Sequence, residues 1–204
     1  MKTLVLATAN PNKVAELLPP LKEQGYSVKL QTEFFSEQVD EDGLSFVENA
    51  LKKARYASAK TGLPAIADDS GLQVAFLGGK PGIYSARYAQ TGQNSQPDEQ
   101  ANVQKLLAEL GNLPVKQRQA TYICAVAFVA HAKDETPILG FGTWQGDILN
   151  APRTSHGIGY DAIFWLPSEL KTASEVPLAR KLQVSHRAQA MAQVLQQLKG
   201  RGAL

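Results

Sequence analysis

The chain has little of several things that would point to familiar chemistry. It holds one cysteine, Cys124, among 204 residues. One thiol can form neither an internal disulfide nor a thiolate metal cage. Cys124 lies in the apolar run "YICAVAFVA", which reads as a buried structural position in a chain from a reducing compartment. There are only three histidines, His131, His156 and His186, and no two have zincin spacing. The G-x-x-x-x-G-K-[ST] phosphate loop, the G-x-S-x-G elbow and a G-x-G-x-x-G after a strand are all absent. Those absences leave P-loop, serine hydrolase and dinucleotide-fold readings unsupported. The net charge is only +2, so nothing calls for nucleic acid or an acidic membrane surface. No apolar run approaches the ~18 residues of a membrane span. The opening "MKTLVLATANPNK" mimics a signal peptide, but its apolar run ends by Ala9, so a cytoplasmic protein is the expectation.

What is present is a core-forming chain with 44% hydrophobic residues, long enough for one domain with two lobes over residues 1–204. "TLVLAT" (Thr3 to Thr8) reads as a buried strand. Asn10 and Pro11 then give a helix cap and a proline at the first helical position. Pro19 and Pro20 are expected to kink or end that helix. "SVKLQT" reads as a second strand and "EFFSEQVDEDG" as an acidic loop. Helical spacing of Phe46, Val47, Ala50, Leu51, Ala54 and Ala57 predicts a helix from Ser45 to about Lys60, with Glu48 and Lys52 as a supporting pair.

"PAIADD" and "LQVAFL" read as two strands around an Asp-Asp-Ser-Gly turn. A helix follows, capped by Asp98 and stopped by Gly111. "RQATYICAVAFVAH" and "TPILGFGTWQGDIL" read as a hairpin of long strands. Asn150 to Leu166 reads as irregular, and a last helix begins near Ser185. Helices alternate with strands early and hairpin strands come late, which makes a mixed α/β chain.

Five stretches carry groups suited to chemistry. In "TANPNK" a strand ends and a helix begins. Its free N–H groups, with Thr8, Asn10 and Lys13, suit a phosphate; a capped helix with a surface lysine is the plainer alternative. Asp68 and Asp69 place two carboxylates side by side at the end of an apolar run. That is costly unless a divalent cation meets them or the strand end is open to water. Oxygen ligands of this kind suit Mg²⁺, with Asp40, Glu41 and Asp42 as further donors. The alternatives are an Asp turn and a solvated acidic loop. "GKPGIYSAR" makes a shaped loop whose Arg87 reaches an anion, a partner or only solvent. In "SHGIGYDAIF" the glycines allow close backbone approach, Tyr160 offers a ring and Asp161 an acceptor; a structural turn fits as well. In "ARKLQVSHRAQA", Lys181, His186 and Arg187 crowd positive charge near a helix N-terminus, where the dipole favours acids. That suits an anion, or a solvated basic face.

Taken together, "TANPNK", "GLSFVENALKKA", "AIADDSGL", "GGKPGIYSARYA", "GYDAIF" and "SHRAQA" resemble, in order, the motifs of the inosine triphosphate pyrophosphatase family. The resemblance spans Thr8 to about Ala190. It implies an α/β fold: a mixed sheet with flanking helices and two lobes around a central substrate groove. It implies a homodimer, with no nucleic-acid or membrane partner. It also implies Mg²⁺-dependent hydrolysis of deaminated purine nucleoside triphosphates (dITP/ITP and XTP) to the monophosphate and pyrophosphate, which cleanses the nucleotide pool.

By the same resemblance Thr8, Asn10, Lys13 and Lys53 face the triphosphate, Asp69 is the catalytic and metal-binding carboxylate, and Ser70 contacts substrate. Asp40 and Glu41 are the further metal candidates. Ile158, Gly159, Tyr160 and Asp161 match the nucleoside segment, and Lys181, His186 and Arg187 the base-recognition end. The sequence departs from the family at Ile158 and Ala162, where phenylalanine and proline are usual. Weaker purine binding or altered selectivity, with a less restrained loop, is the expectation. A Maf-like pyrophosphatase with another base preference and a nucleotide-binding protein without turnover are the competing readings.

Overall fold

The computed structural model describes residues 2–90 and 98–201. Seven strands form one mixed sheet in the order β2-β1-β3-β4-β5-β6-β7. They are β1 Thr3–Leu6, β2 Ser27–Leu30, β3 Ala65–Val74, β4 Gln119–Val129, β5 Ile138–Ile148, β6 Phe164–Leu166 and β7 Lys171–Thr172. β1 pairs parallel with β2 and with β3, whereas β6 pairs antiparallel with β5 and with β7. The α-helices are α1 Pro11–Glu23, α2 Phe46–Thr61, α3 Glu99–Leu110, α4 Leu178–Val184 and α5 His186–Gly200. The mixed α/β expectation is therefore met. Among the described residues, no helix is long and apolar enough to cross a membrane.

The chain divides into two compact units, with the divisions falling inside β3, β4, β5 and α4. The first holds Met1–Ser70, Cys124–Thr143 and Leu182–Leu204. Its core joins Leu4, Leu6, Ile66, Val126 and Phe128 of the strands to Leu17 and Leu21 of α1 and to Met191, Val194 and Leu198 of α5. Cys124 is fully buried in this core, and burial pushes its thiol pKa up, as suits a structural position. The second unit holds Gly71–Ile123 and Trp144–Lys181. Its core gathers Leu72, Val74, Leu106, Ile148, Ile163 and Phe164, with the Phe164 ring 4.5 Å from Tyr122 and 6.2 Å from Trp144.

Four helix starts follow the sequence reading. Asn10 accepts from the Asn12 and Lys13 N–H groups, Ser45 from Glu48, Asp98 from Ala101 and Ser185 from Ala188. Several expectations are corrected. α1 runs through Pro19 and Pro20 to Glu23. Interior proline removes a helix hydrogen bond and crowds the preceding turn. Leu17 and Leu21 flank the pair and are both buried, and their packing against the core favours continuing the helix through it.

β3 is one continuous strand through Asp68, Asp69, Ser70 and Gly71, not two strands about a turn. Both carboxylates find cations elsewhere, so neither has to fold the backbone around itself. Glu48 does not pair with Lys52. It accepts from the Ser45 hydroxyl at 2.9 Å, while Lys52 meets Asp42 at 2.5 Å. The stretch read as irregular ends in β6, where Phe164 pairs with Ile148. The short β7 and α4 had no counterpart in the reading.

Candidate active site

Successive side chains of a strand point to opposite faces. β3 uses this to separate its two carboxylates. Asp68 faces α1 and α5: Lys13 Nζ lies 2.9 Å from Asp68 Oδ2, and Arg187 Nε lies 3.7 Å from the same oxygen. The Ser70 hydroxyl, on the same face, donates to Asp68 Oδ2 at 3.2 Å and accepts from Arg187 Nη2 at 3.0 Å. Arg187 is held from the other side by Glu16 of α1, whose Oε1 accepts from Nη1 at 3.0 Å. Ser185 Oγ, the α5 cap, donates to Glu16 Oε2 at 3.3 Å.

Asp69 faces α2. Lys53 Nζ donates to Asp69 Oδ1 at 2.9 Å and Asn49 Nδ2 to Oδ2 at 3.3 Å. Asn49 and Lys53 are one helical turn apart, so one face of α2 supplies both donors. Lys53 also donates to Glu41 Oε1 at 2.7 Å, which joins the acidic loop to the strand. The loop is fixed by Asn49 Oδ1, which accepts the Gly43 N–H at 2.8 Å. A Cβ at Gly43 would stand 2.6 Å from that oxygen, so the close approach needs glycine.

The two neighbours end in opposite electrostatic states. Burial pushes Asp68 up, but Lys13, Lys53 and Arg187 outweigh it and hold its pKa far below the usual carboxylate value. Burial also raises Asp69. Glu41 adds to the rise, and Lys53 and Lys13 offset only part of it, so its pKa stays above the ordinary value. Burial alone would lower the Lys53 pKa. The charges of Asp69, Asp68 and Glu41 win and raise it, so Lys53 remains an ammonium. Asp68 Oδ1 is buried and has no hydrogen-bond partner among the described residues.

Of the residues expected from sequence, Lys13, Glu41, Lys53, Asp69, Ser70 and Arg187 come together here. Thr8 Oγ1 accepts the Asn10 N–H at 3.2 Å, and Asn10 caps α1, one turn from Lys13. His186 is buried at the start of α5. Asp40 is exposed, and none of the ion pairs just described includes it. Glu16 and Asn49 were missed, and Ser185 was read only as a helix cap. Asn49 was signalled by its spacing of four from Lys53, and Glu16 by its spacing of three from Lys13.

In the second unit, Asp161 accepts from Tyr122 OH at 3.0 Å and from Lys181 Nζ at 2.6 Å. Tyr160 OH donates to Ser85 O at 2.9 Å, and burial pushes its phenol pKa up. Gly159, in the left-handed region at φ 55°, donates its N–H to Glu99 Oε2 at 2.8 Å. Ile158 is half-buried. The loop expected to be loose is tied at several points. Arg153 N–H meets Ala162 O at 2.9 Å, Ser174 N–H meets Asp161 O at 3.2 Å, and the Thr154 and Ser174 hydroxyls lie 2.6 Å apart. The expected grouping of Lys181 with Arg187 is not one set of contacts: Lys181 bonds Asp161, whereas Arg187 bonds Glu16 and Ser70.

A model of the Ham1 family matches residues 4–197 of this chain. The chain belongs to the Ham1 family. This Ham1 chain is 49% identical over 199 residues to a protein of Yersinia pseudotuberculosis named dITP/XTP pyrophosphatase, covering 98% of this chain and 99% of that one. A protein of the same name from Escherichia coli O157:H7 is 48% identical over the same coverage. Among solved structures, a HAM1 protein from Coxiella burnetii superposes with a TM-score of 0.86 at 40% identity, covering 98% of this chain and all of that one. The Staphylococcus aureus Ham1 protein gives 0.83 at 35% identity and the same coverage. The resemblance carried by the six motifs is thereby borne out, as is the mixed α/β fold it implied.

Proposed function

We propose that the chain hydrolyses deaminated purine nucleoside triphosphates, dITP, ITP and XTP, to the monophosphate and pyrophosphate. The observation that carries this is Asp69. It is a buried carboxylate of raised pKa between Lys53 and Asn49, in a chain 49% identical end to end to a protein named dITP/XTP pyrophosphatase. Phosphoryl chemistry needs positioning and neutralised charge more than covalent help. Lys13, Lys53 and the N–H groups at the start of α1 supply positive charge for the phosphates. Thr8, Asn10 and Ser70 add hydrogen bonds. Asp69, held in the Lys53–Asp69 ion pair next to the Lys13–Asp68 pair, takes a proton from the attacking water. Gly159, Tyr160, Asp161 and Lys181 serve the nucleoside.

The donors present fit Mg²⁺. Among the described residues no three His, Cys, Asp or Glu side chains gather into a metal cage. Mg²⁺ commonly takes one or two carboxylates and fills its shell with water and phosphate oxygens. Asp69 and Glu41 offer that set around Lys53. Asp69 and Glu41 would hold the ion, which when bound neutralises phosphate charge and acidifies a water. In this reading the enzyme is a cytoplasmic homodimer, which sedimentation at several concentrations checks.

The test of the activity is pyrophosphate release from inosine, xanthosine, adenosine and guanosine triphosphates, with Mg²⁺ and with a chelator. Mg²⁺-dependent turnover of the first two over the last two supports the proposal. Turnover of other nucleotides alone would overturn the assigned base preference, and binding without turnover would overturn the enzyme.

A further inference from the structure

The motif "SHRAQA" contains one residue that no role above absorbs, Gln189. It opens a ladder. Gln189, Gln193 and Gln197 follow one another at every fourth residue of α5. Gln189 Nε2 donates to Thr143 O at 2.8 Å, Gln193 Nε2 to Phe141 O at 2.7 Å and Gln197 Nε2 to Leu139 O at 2.7 Å. Gln193 also accepts the Phe141 N–H on Oε1 at 3.1 Å, so its amide pairs with β5 as a neighbouring strand would. The two repeats match. Four helix residues rise about 6 Å and two strand residues about 6.7 Å, so three rungs fit with little drift.

The ladder is possible because α5 lies almost on the strand. A Cβ at Gly140 would stand 2.1 Å from Ala190 O, and one at Gly142 would stand 2.1 Å from His186 O. Both contacts are with backbone, so no side chain there can move aside. Glycine at alternate positions of β5 and glutamine at every fourth position of α5 therefore fix where the helix lies along the strand. Gln189 adds a second bond, to Val184 O at 2.9 Å, and so ties down the turn that leads into α5.

The first turn of that helix carries Ser185 and Arg187. We infer that the ladder is a positioning device for Arg187, with Gln189 its decisive rung. It sets the axial register of α5 so that Arg187 reaches Glu16 with one nitrogen and Ser70 with another. A slip of one residue is about 1.5 Å, enough to break both bonds. This inference rests on the proposed activity for its consequence in catalysis, but the register itself does not.

The experiment compares Gln189→Ala with Gln197→Ala, each alone and combined with Arg187→Lys. Gln197 is ten residues from Arg187, about 15 Å along the helix, and serves as the control rung. Both single variants are expected to lower the urea midpoint by similar amounts. kcat/KM is expected to fall about tenfold in Gln189→Ala and less than about twofold in Gln197→Ala. In the Arg187→Lys background the Gln189 effect shrinks below about twofold, because the group it positions has already changed. Equal kinetic losses at the two rungs, or a Gln189 loss that persists in full beside Arg187→Lys, would overturn the inference. If the wild-type protein turns over no triphosphate, the activity reading has failed separately. The same cycle is then read from urea unfolding, where coupling between Gln189 and Arg187 supports the register link and additivity overturns it.

Discussion

Asp68 and Asp69 are adjacent on one strand but answer to different lysines, Lys13 and Lys53, each at 2.9 Å. The pleat of β3 separates two charges that a turn would have left side by side. The consequence is a division of labour. Asp68 is surrounded by Lys13, Arg187 and Ser70 and is held ionised. Asp69 has one lysine, shared with Glu41, and its pKa lies above the ordinary value. Environments that push two carboxylates apart are a common basis for assigning acid and base roles.

Asp69→Asn removes the charge and keeps the shape. One oxygen is kept for Lys53, which donates to Asp69 Oδ1, while the amide nitrogen that replaces Oδ2 no longer accepts from Asn49. The variant is expected to unfold within a few degrees of wild type and to lose at least ~10² in kcat. Pyrophosphate release measured beside thermal unfolding checks both halves. Near-normal turnover would take Asp69 out of the mechanism.

Asp68 makes stability depend on pH. Its folded pKa is depressed below the unfolded value of about 3.9. The stabilisation is therefore fully present above that value and is lost as pH falls below it toward the folded pKa. Asp68→Asn leaves Lys13 facing a neutral group in a buried place, at a cost of about 3 kcal/mol near neutrality. The gap between wild type and variant should narrow as pH is lowered from about 5 to 2. Urea unfolding across that range measures it, and a gap that stays constant would contradict the assignment.

Lys53 lowers the Asp69 pKa, against burial and Glu41. Lys53→Met should therefore raise it further. If ionised Asp69 is the working form, the acid limb of kcat/KM moves to higher pH. A pH–rate profile with an unmoved acid limb and only a lower plateau would assign Lys53 to substrate binding alone.

Much of this was legible because caps and apolar spacing are local signals. Asn10, Ser45, Asp98 and Ser185 each mark a helix start within a few residues. The candidate site was legible as motifs but not as contacts. Arg187 bonds Ser70 across a separation of 117 residues, and nothing near either one in sequence reveals it. For the same reason β3 was misread as a turn. The cations that make an extended Asp-Asp tolerable come from α1, α2 and α5. The tandem prolines misled because their cost is local, while the compensating burial of Leu17 and Leu21 is tertiary. The ladder of Gln189, Gln193 and Gln197 was in plain view at every fourth residue. It gave no signal because its partners are backbone carbonyls.

Ile158 offers the last prediction. The segment proposed to serve the nucleoside keeps Gly159, Tyr160 and Asp161 in a well-tied setting, with Asp161 bonded to Tyr122 and Lys181. Arg153 and Ser174 donate backbone N–H bonds to Ala162 and Asp161 in this loop. By the resemblance, an aromatic ring is usual where Ile158 stands. An aliphatic side chain covers a purine less well than an aromatic face, and a ring–ring contact adds about 0.5–1.5 kcal/mol beyond burial. Ile158→Phe should lower KM for inosine triphosphate several-fold with kcat little changed, the mark of uniform binding. An unchanged KM would mean that this side chain does not meet the base, and would move base recognition to the groups around Asp161 and Lys181.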